Sequence, residues 1–259
     1  MTEIALDDRG FTLGHGLFET VLWANDRLEH WDDHVERLAR GCRTLRLPAP
    51  DAETLRRAAL VALDAVASPP RAAVRLNWSA GSGARGLDPP DTPQPVLTAT
   101  AAIATLPKGG VSLATARVRR NDRSPAARLK TLSYIDNVLA RAEAREAGAE
   151  EALMLNTAGE VACAAAANIF WVRHDEVFTP SLECGVLDGI MRRQVIAACH
   201  ALGLPLQEVF TNLSRIAGAP MFITNSLVGV RAVDRLDGRD LPGSPLVAAI
   251  AKAVSRAPK

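Results

Sequence analysis

The apolar residues of this chain change period several times, and that alternation confines it to a mixed α and β fold. Residues 17–23 (LFETVLW) predict a strand, with a turn at Asn25, Asp26 and Arg27. Over 32–45 the period becomes helical. Val35, Leu38, Cys42 and Leu45 share one face, with Glu36, Arg37, Arg40 and Arg43 between them. Residues 51–66 predict a second helix, stopped by Ser68, Pro69 and Pro70. Strands are expected at 73–78 and 95–103, on either side of the loop GSGARGLDPP at 81–90. LPKGG at 106–110 reads as a linker. Beyond it the pattern predicts a strand at 111–118 and a helix at 133–147, with Ser133 as N-cap and Gly148 as stop. Strands follow at 152–155 and 161–172, then a helix at 188–202, a short strand at 220–224 and a closing helix at 246–256. The expected fold class is α+β (mixed α/β) in two domains. A smaller N-terminal α/β domain spans 1–106, a linker 107–110, and a larger C-terminal α/β domain 111–259, the last carrying Lys130.

Composition removes several functional classes. With 48% hydrophobic and 23% charged residues, the chain cannot be disordered as a whole. A net charge of +1 provides no field to recruit nucleic acid or an anionic membrane. The longest uncharged apolar stretch, 161–172, is too short to span a bilayer, which takes about 20 residues. The opening MTEIALDDRG has no basic segment ahead of an apolar core, so a cytoplasmic location is expected. Cys42, Cys163, Cys184 and Cys199 form no CxxC pair and read as reduced, buried thiols. The five histidines lack metal-binding spacing, so no metal is expected. Trp23, Trp31, Trp78 and Trp171 read as core or interface, and Asp32, Asp33 and Glu36 as solvated.

Two features carry potential chemistry. Of the 30 basic residues, 26 are Arg and four are Lys: Lys108, Lys130, Lys252 and Lys259. Arg cannot be deprotonated to a nucleophile, whereas a desolvated Lys can. Lys130 lies between Leu129 and Leu132, just ahead of a predicted helix, so it reads either as that nucleophile or as an ordinary surface lysine. The second feature is the loop bounded by Gly185 and Gly189, which opens a helix whose first N–H groups suit an anion. The competing reading is a helix capped by Asp188. GSGARG at 81–86 lacks the spacing of a nucleotide loop and by itself is a flexible loop carrying Arg85.

Six blocks in order resemble the class IV aminotransferases, the fold type IV pyridoxal 5'-phosphate (PLP) enzymes. That family includes branched-chain and D-amino acid aminotransferases and aminodeoxychorismate lyases. The blocks are DRGFTLGHGLFET at 8–20, HVERL at 34–38, LKTLSY at 129–134 with Asn137, AANIFW at 166–171, TP at 179–180 with GVLDGIMR at 185–192, and TNSL at 224–227. The resemblance implies the D-amino acid aminotransferase-like fold and PLP as cofactor. It also implies a homodimer acting on a small amino-acid-like substrate, with no nucleic acid or membrane partner. Lys130 would form the imine with PLP and shuttle the Cα proton. Arg37, Ile190, Met191, Asn225 and Ser226 would hold the phosphate, and Asn168 would line the cofactor site. Phe18 and Arg85 would face the substrate.

One position departs from the family. Where it places a Glu against the pyridine nitrogen, this chain has Cys163. A thiol is a weak donor and leaves a weaker electron sink. Glu160, three residues away, should point to the other face of the strand. Four readings stay open: less need for carbanion stabilisation, an unusual substrate, PLP binding with little transaminase activity, or neutral drift. The position that D-amino acid aminotransferases give to a carboxylate-binding His is Leu87 here. The loop 81–86, the helix start at 189–192 and the turn 224–227 look most like an aminodeoxychorismate lyase, which releases pyruvate to give 4-aminobenzoate. An aminotransferase is the alternative.

Overall fold

The computed structural model describes residues 4–256; Lys259 and the first residues of the opening MTEIALDDRG lie outside them. The chain divides into two compact units. One runs through Leu106 and includes Leu129–Ser133; the other comprises Pro107–Arg128 and the chain from Tyr134 onward.

The first unit begins with α1 (Arg9–Leu13), β1 (Gly16–Ala24) and β2 (Arg27–Leu28), and continues with α2 (Trp31–Leu45) and α3 (Ala52–Asp64). β3 (Arg71–Ser79) and β4 (Val96–Ile103) complete an antiparallel sheet in the order β2-β1-β3-β4. Asn25 and Asp26 both adopt positive φ, the geometry a tight hairpin needs and one that Asn and Asp tolerate. The core joins Leu17, Val21, Val74 and Leu76 of the sheet to Leu38 and Cys42 of α2 and Leu55, Ala59 and Leu63 of α3, so the predicted helical stripe is the buried one. Asp51 caps α3 by accepting from the Thr54 amide (2.8 Å).

The second unit contains β5 (Val111–Arg120), α4 (Ile135–Glu146), β6 (Glu151–Asn156), β7 (Val161–Ala164), β8 (Asn168–Arg173) and β9 (Glu176–Pro180). It continues with α5 (Ile190–Ala201), β10 (Leu206–Val209), α6 (Leu213–Ile216), β11 (Met221–Asn225), β12 (Gly229–Leu236), β13 (Arg239–Asp240) and α7 (Pro245–Arg256). The nine-stranded sheet has the order β10-β9-β8-β11-β12-β5-β6-β7, with β13 on β12. The single strand expected over 161–172 is two strands, β7 and β8, five places apart in that order. The link between them can reach at most about 15 Å, whereas five flat strand spacings measure about 24 Å. The sheet therefore curls to bring its ends together, and the small side chains of Ala165–Ala167 let the chain make the crossing.

Two further expectations change. The N-cap of α4 is Tyr134, not Ser133. Ser133 belongs to the extended segment tied to the first unit, so its backbone is not free to enter the helix. For the same reason Lys130 sits in the first unit rather than in the unit that follows the linker. No described helix is long and apolar enough to cross a membrane.

Gly41 of α2 packs against Leu17 of β1: a Cβ there would meet Leu17 Cδ1 at 2.8 Å. Gly41→Val should therefore push α2 from the sheet and lower stability by about 1–3 kcal/mol in urea unfolding. Unchanged stability would mean that this contact is loose.

Candidate active site

Lys130 is positioned by backbone pairing with β1. The Phe18 amide donates to the Lys130 carbonyl (2.8 Å) and the Leu132 amide to the Gly16 carbonyl (3.0 Å). Leu17 and Thr131 form the bridge between these bonds. The half-buried Lys130 side chain then places Nζ 4.1 Å from the centroid of the Phe18 ring. The Arg75 guanidinium lies 3.7 Å from the same centroid. Phe18 is thus a buried ring shared by two cations, an arrangement its negative π face favours.

Glu19 points to the opposite face of β1, toward α2, and is buried with His34 and Arg37. Arg37 donates through Nε to Oε1 (2.8 Å) and through Nη2 to Oε2 (2.6 Å). His34 Nδ1 lies 2.7 Å from Oε2. Burial alone would raise the Glu19 carboxyl, but Arg37, with a smaller contribution from His34, holds it down to about 2. Burial lowers the His34 imidazole against the pull of Glu19, with Arg37 and Lys130 adding to the lowering, and Nδ1 donates to the ionised Glu19. Much of the Arg37 guanidinium is therefore anchored by Glu19.

Arg85 is exposed in the 81–90 loop, as is Leu87. The loop is held by the buried Arg9, which donates to the carbonyls of Gly86 (3.3 Å), Leu87 (2.7 Å) and Asp88 (3.1 Å). Asp8 caps α1 and accepts from Ser79 Oγ (2.7 Å), fixing the root of the same loop.

In the second unit, α5 begins at Gly189 with no side-chain cap. Asp188 faces Arg193 instead (3.9 Å), which leaves the first-turn amides of Ile190 and Met191 uncapped by any side chain. Gly189 is required because a Cβ there would fall 2.0 Å from Asn168 Oδ1. Asn168 donates to the Leu187 carbonyl (2.9 Å) and so ties β8 to the loop ahead of α5. Thr224, opposite Asn168 in the β8–β11 register, has a buried hydroxyl with no partner. Uncapped amides beside an orphaned hydroxyl are the donor set an anionic phosphate takes, so these residues fit the cofactor that the resemblance implies. The Asn225 side chain is engaged in a turn: its Oδ1 accepts from Leu227 (2.9 Å) and Val228 (3.0 Å), and its Nδ2 donates to the Ala166 carbonyl (3.0 Å). Ser226 lies within that turn, between β11 and β12.

Cys163 is buried on β7, and burial pushes its thiol up; Arg120 opposes that rise and Glu151 adds to it. Glu160 is occupied elsewhere, accepting from Asn156 Nδ2 (2.8 Å), with the Cys184 thiol 3.9 Å away. Among the described residues no cluster of three or more His, Cys, Asp and Glu suits a metal.

Sequence reasoning gave no role to Glu19, His34, Arg9 or Arg120. The signal for Glu19 was present: Leu17, Glu19 and Val21 alternate on one strand face, so an acid points into the core and needs a partner.

The amino-transferase class IV family model matches residues 16–236, and the chain belongs to that family of PLP-dependent lyases and transaminases. An aminodeoxychorismate lyase of Vibrio harveyi is 32% identical over 238 residues, covering 90% of this chain and 87% of that protein. The structure of a branched-chain aminotransferase from Thermoproteus uzoniensis with norvaline superposes with a TM-score of 0.90 at 28% identity, over 98% of this chain and 89% of that one. A hypothetical aminotransferase from Mycobacterium tuberculosis in its PLP-bound form gives 0.85 at 26% identity, over 98% and 93%. The two-unit mixed α/β architecture is accordingly that of the fold type IV enzymes.

Because Glu19 is held below its ordinary 4.5, its stabilising contribution is complete above that value and lost as pH falls through about 2. Glu19→Ala strands the buried Arg37 charge and should cost about 3–5 kcal/mol near neutral pH. It should also flatten the acid-unfolding curve followed by circular dichroism. An equally steep curve in the variant would place the acid sensitivity elsewhere.

Proposed function

We propose that this chain is a PLP-dependent enzyme acting on a small amino-acid-like substrate, with aminodeoxychorismate lyase activity as its reaction: release of pyruvate to leave 4-aminobenzoate. The observation that carries the reading is Lys130, whose amine is held 4.1 Å from the Phe18 centroid by a segment pinned to β1. When bound, PLP supplies the electron sink for carbanion chemistry at the substrate Cα. Lys130 Nζ would anchor the cofactor and carry the Cα proton. In the second unit the Ile190 and Met191 amides would hold the phosphate, and Asn168 fixes the loop that presents those amides. In the first unit Arg37, anchored by Glu19, is the residue that the family resemblance assigns to the same group. By the family resemblance Ser226, in the turn that Asn225 builds, would add to these donors.

The lyase reading is supported by the Vibrio harveyi relative, which matches across nine-tenths of this chain. It is also supported by the loss of side chains that would trap an amino-acid carboxylate. Phe18 has no polar group, and Leu87 is an exposed aliphatic, so only Arg85 remains. The likeness to the Thermoproteus uzoniensis enzyme favours a second reading, a class IV aminotransferase for D-amino or branched-chain amino acids. A homodimer belongs to the same proposal. Ile135, Val138 and Leu139 form an exposed apolar face on α4 that a second copy would cover.

Purified protein supplied with PLP should release pyruvate from aminodeoxychorismate faster than it consumes D- or L-amino acids with a keto acid. The opposite ranking selects the aminotransferase, and no turnover of either selects a PLP-binding protein. Cys163→Glu should raise keto-acid-dependent turnover; an unchanged rate and spectrum would remove Cys163 from the cofactor site.

A further inference from the structure

We propose that Arg120, a buried cation without a carboxylate partner, holds the site beside Cys163 net positive, so that a pyridine nitrogen bound there stays unprotonated. The inference rests on the PLP reading above and deepens it.

Arg120 ends β5 and is buried. Its guanidinium donates to three neutral oxygens: the Gly185 carbonyl (3.0 Å), Asn137 Oδ1 (3.1 Å) and the Ala127 carbonyl. No carboxylate lies within ion-pair distance of it among the described residues. Arg stays protonated throughout the accessible pH range. Neutral acceptors satisfy its N–H groups but leave its charge uncancelled.

The sheet register brings that charge to Cys163. Arg120 pairs with Asn156 of β6, and Met154, two residues back on the same face, pairs with Cys163 of β7. Asn137 extends the connection: its Oδ1 accepts from Arg120, and its Nδ2 donates to the carbonyl of Ala165 (2.7 Å), two residues beyond Cys163. The other ionisable groups around Cys163 offset Arg120 only in part. Glu151 of β6 is matched by Arg141 of α4 and by the Ala152 amide (2.9 Å). Cys184, ahead of α5, is a buried thiol with a value pushed up to about 11, so it stays neutral. Cys163 is likewise raised by burial. Glu160 lies near, on Asn156, but does not pair with Arg120. Of the two charges that act on Cys163, Arg120 outweighs Glu151, whereas a carboxylate at position 163 would cancel it. A cationic ring nitrogen beside a fixed guanidinium is disfavoured by like-charge repulsion. A site of this kind stabilises carbanions less, which sets against full transamination.

The test is the ring-nitrogen chemical shift in holoenzyme loaded with PLP labelled with nitrogen-15 in the ring. The native protein at neutral pH should give the shift of an unprotonated nitrogen, and so should Cys163→Ser. Cys163→Glu should move it to the protonated position, and Arg120→Met should raise the pH at which the nitrogen loses its proton. Should Arg120→Met fail to fold, Arg120→Gln, which keeps hydrogen-bonding groups without the charge, takes its place; an unchanged pH of deprotonation in the variant that folds overturns the role of Arg120. A protonated shift in the native protein, or identical shifts in native and Cys163→Glu protein, overturns the inference while leaving the PLP reading intact. Failure to take up labelled PLP at all overturns that reading, and the inference with it.

Discussion

The pairing of residues 129–133 with β1 is the constraint on which the rest depends. Two backbone hydrogen bonds and one bridge attach this short segment to the edge of Gly16–Phe18. The segment lies between stretches of chain that belong to the second unit, yet it clusters with the first. Its register decides where the Lys130 side chain emerges, and a slip of one residue would send that side chain to the opposite face. The same strand carries Phe18 on one face and Glu19 on the other, so one piece of β-structure organises the amine, the ring against it and the buried Glu19–His34–Arg37 cluster.

The preference for Arg over Lys acquires a structural reason. Arg9 binds three loop carbonyls, Arg120 binds three oxygens, Arg37 makes a two-pronged pair with Glu19, and Arg231 reaches the carbonyls of Gly109 (3.1 Å) and Gly110 (2.6 Å). Each task needs several N–H groups in a fixed plane, which a single ammonium does not supply. Against that background Lys130 is the lysine to which the proposed function gives a task that an Arg could not perform.

Most of the elements were legible in the sequence because their cores are periodic. The stripe from Val35 to Leu45 and the alternation from Leu17 to Trp23 both pack as their spacing requires. What escaped was set by tertiary partners. β12 is hidden by its charges, Arg231, Asp234 and Arg235, whose side chains lie along a partly exposed strand. The break between β7 and β8 follows from sheet curl, which no local pattern encodes. Ser133 has the chemistry of a cap, but its backbone is committed to the first unit. Within the candidate site, Lys130 stood out by composition, and the glycine start of α5 by its loop. The competing cap by Asp188 gives way because that carboxylate has Arg193 for a partner. The role of Arg120 was invisible because its partners are scattered along the chain and two of them are backbone carbonyls, which carry no sequence signal.

The account stands or falls on which amine takes up the cofactor. Protein incubated with PLP, reduced with borohydride and digested should carry the pyridoxyl mass on the peptide containing Lys130. Label on Lys108, Lys252 or Lys259 instead, or label that persists unchanged in Lys130→Ala, would contradict it.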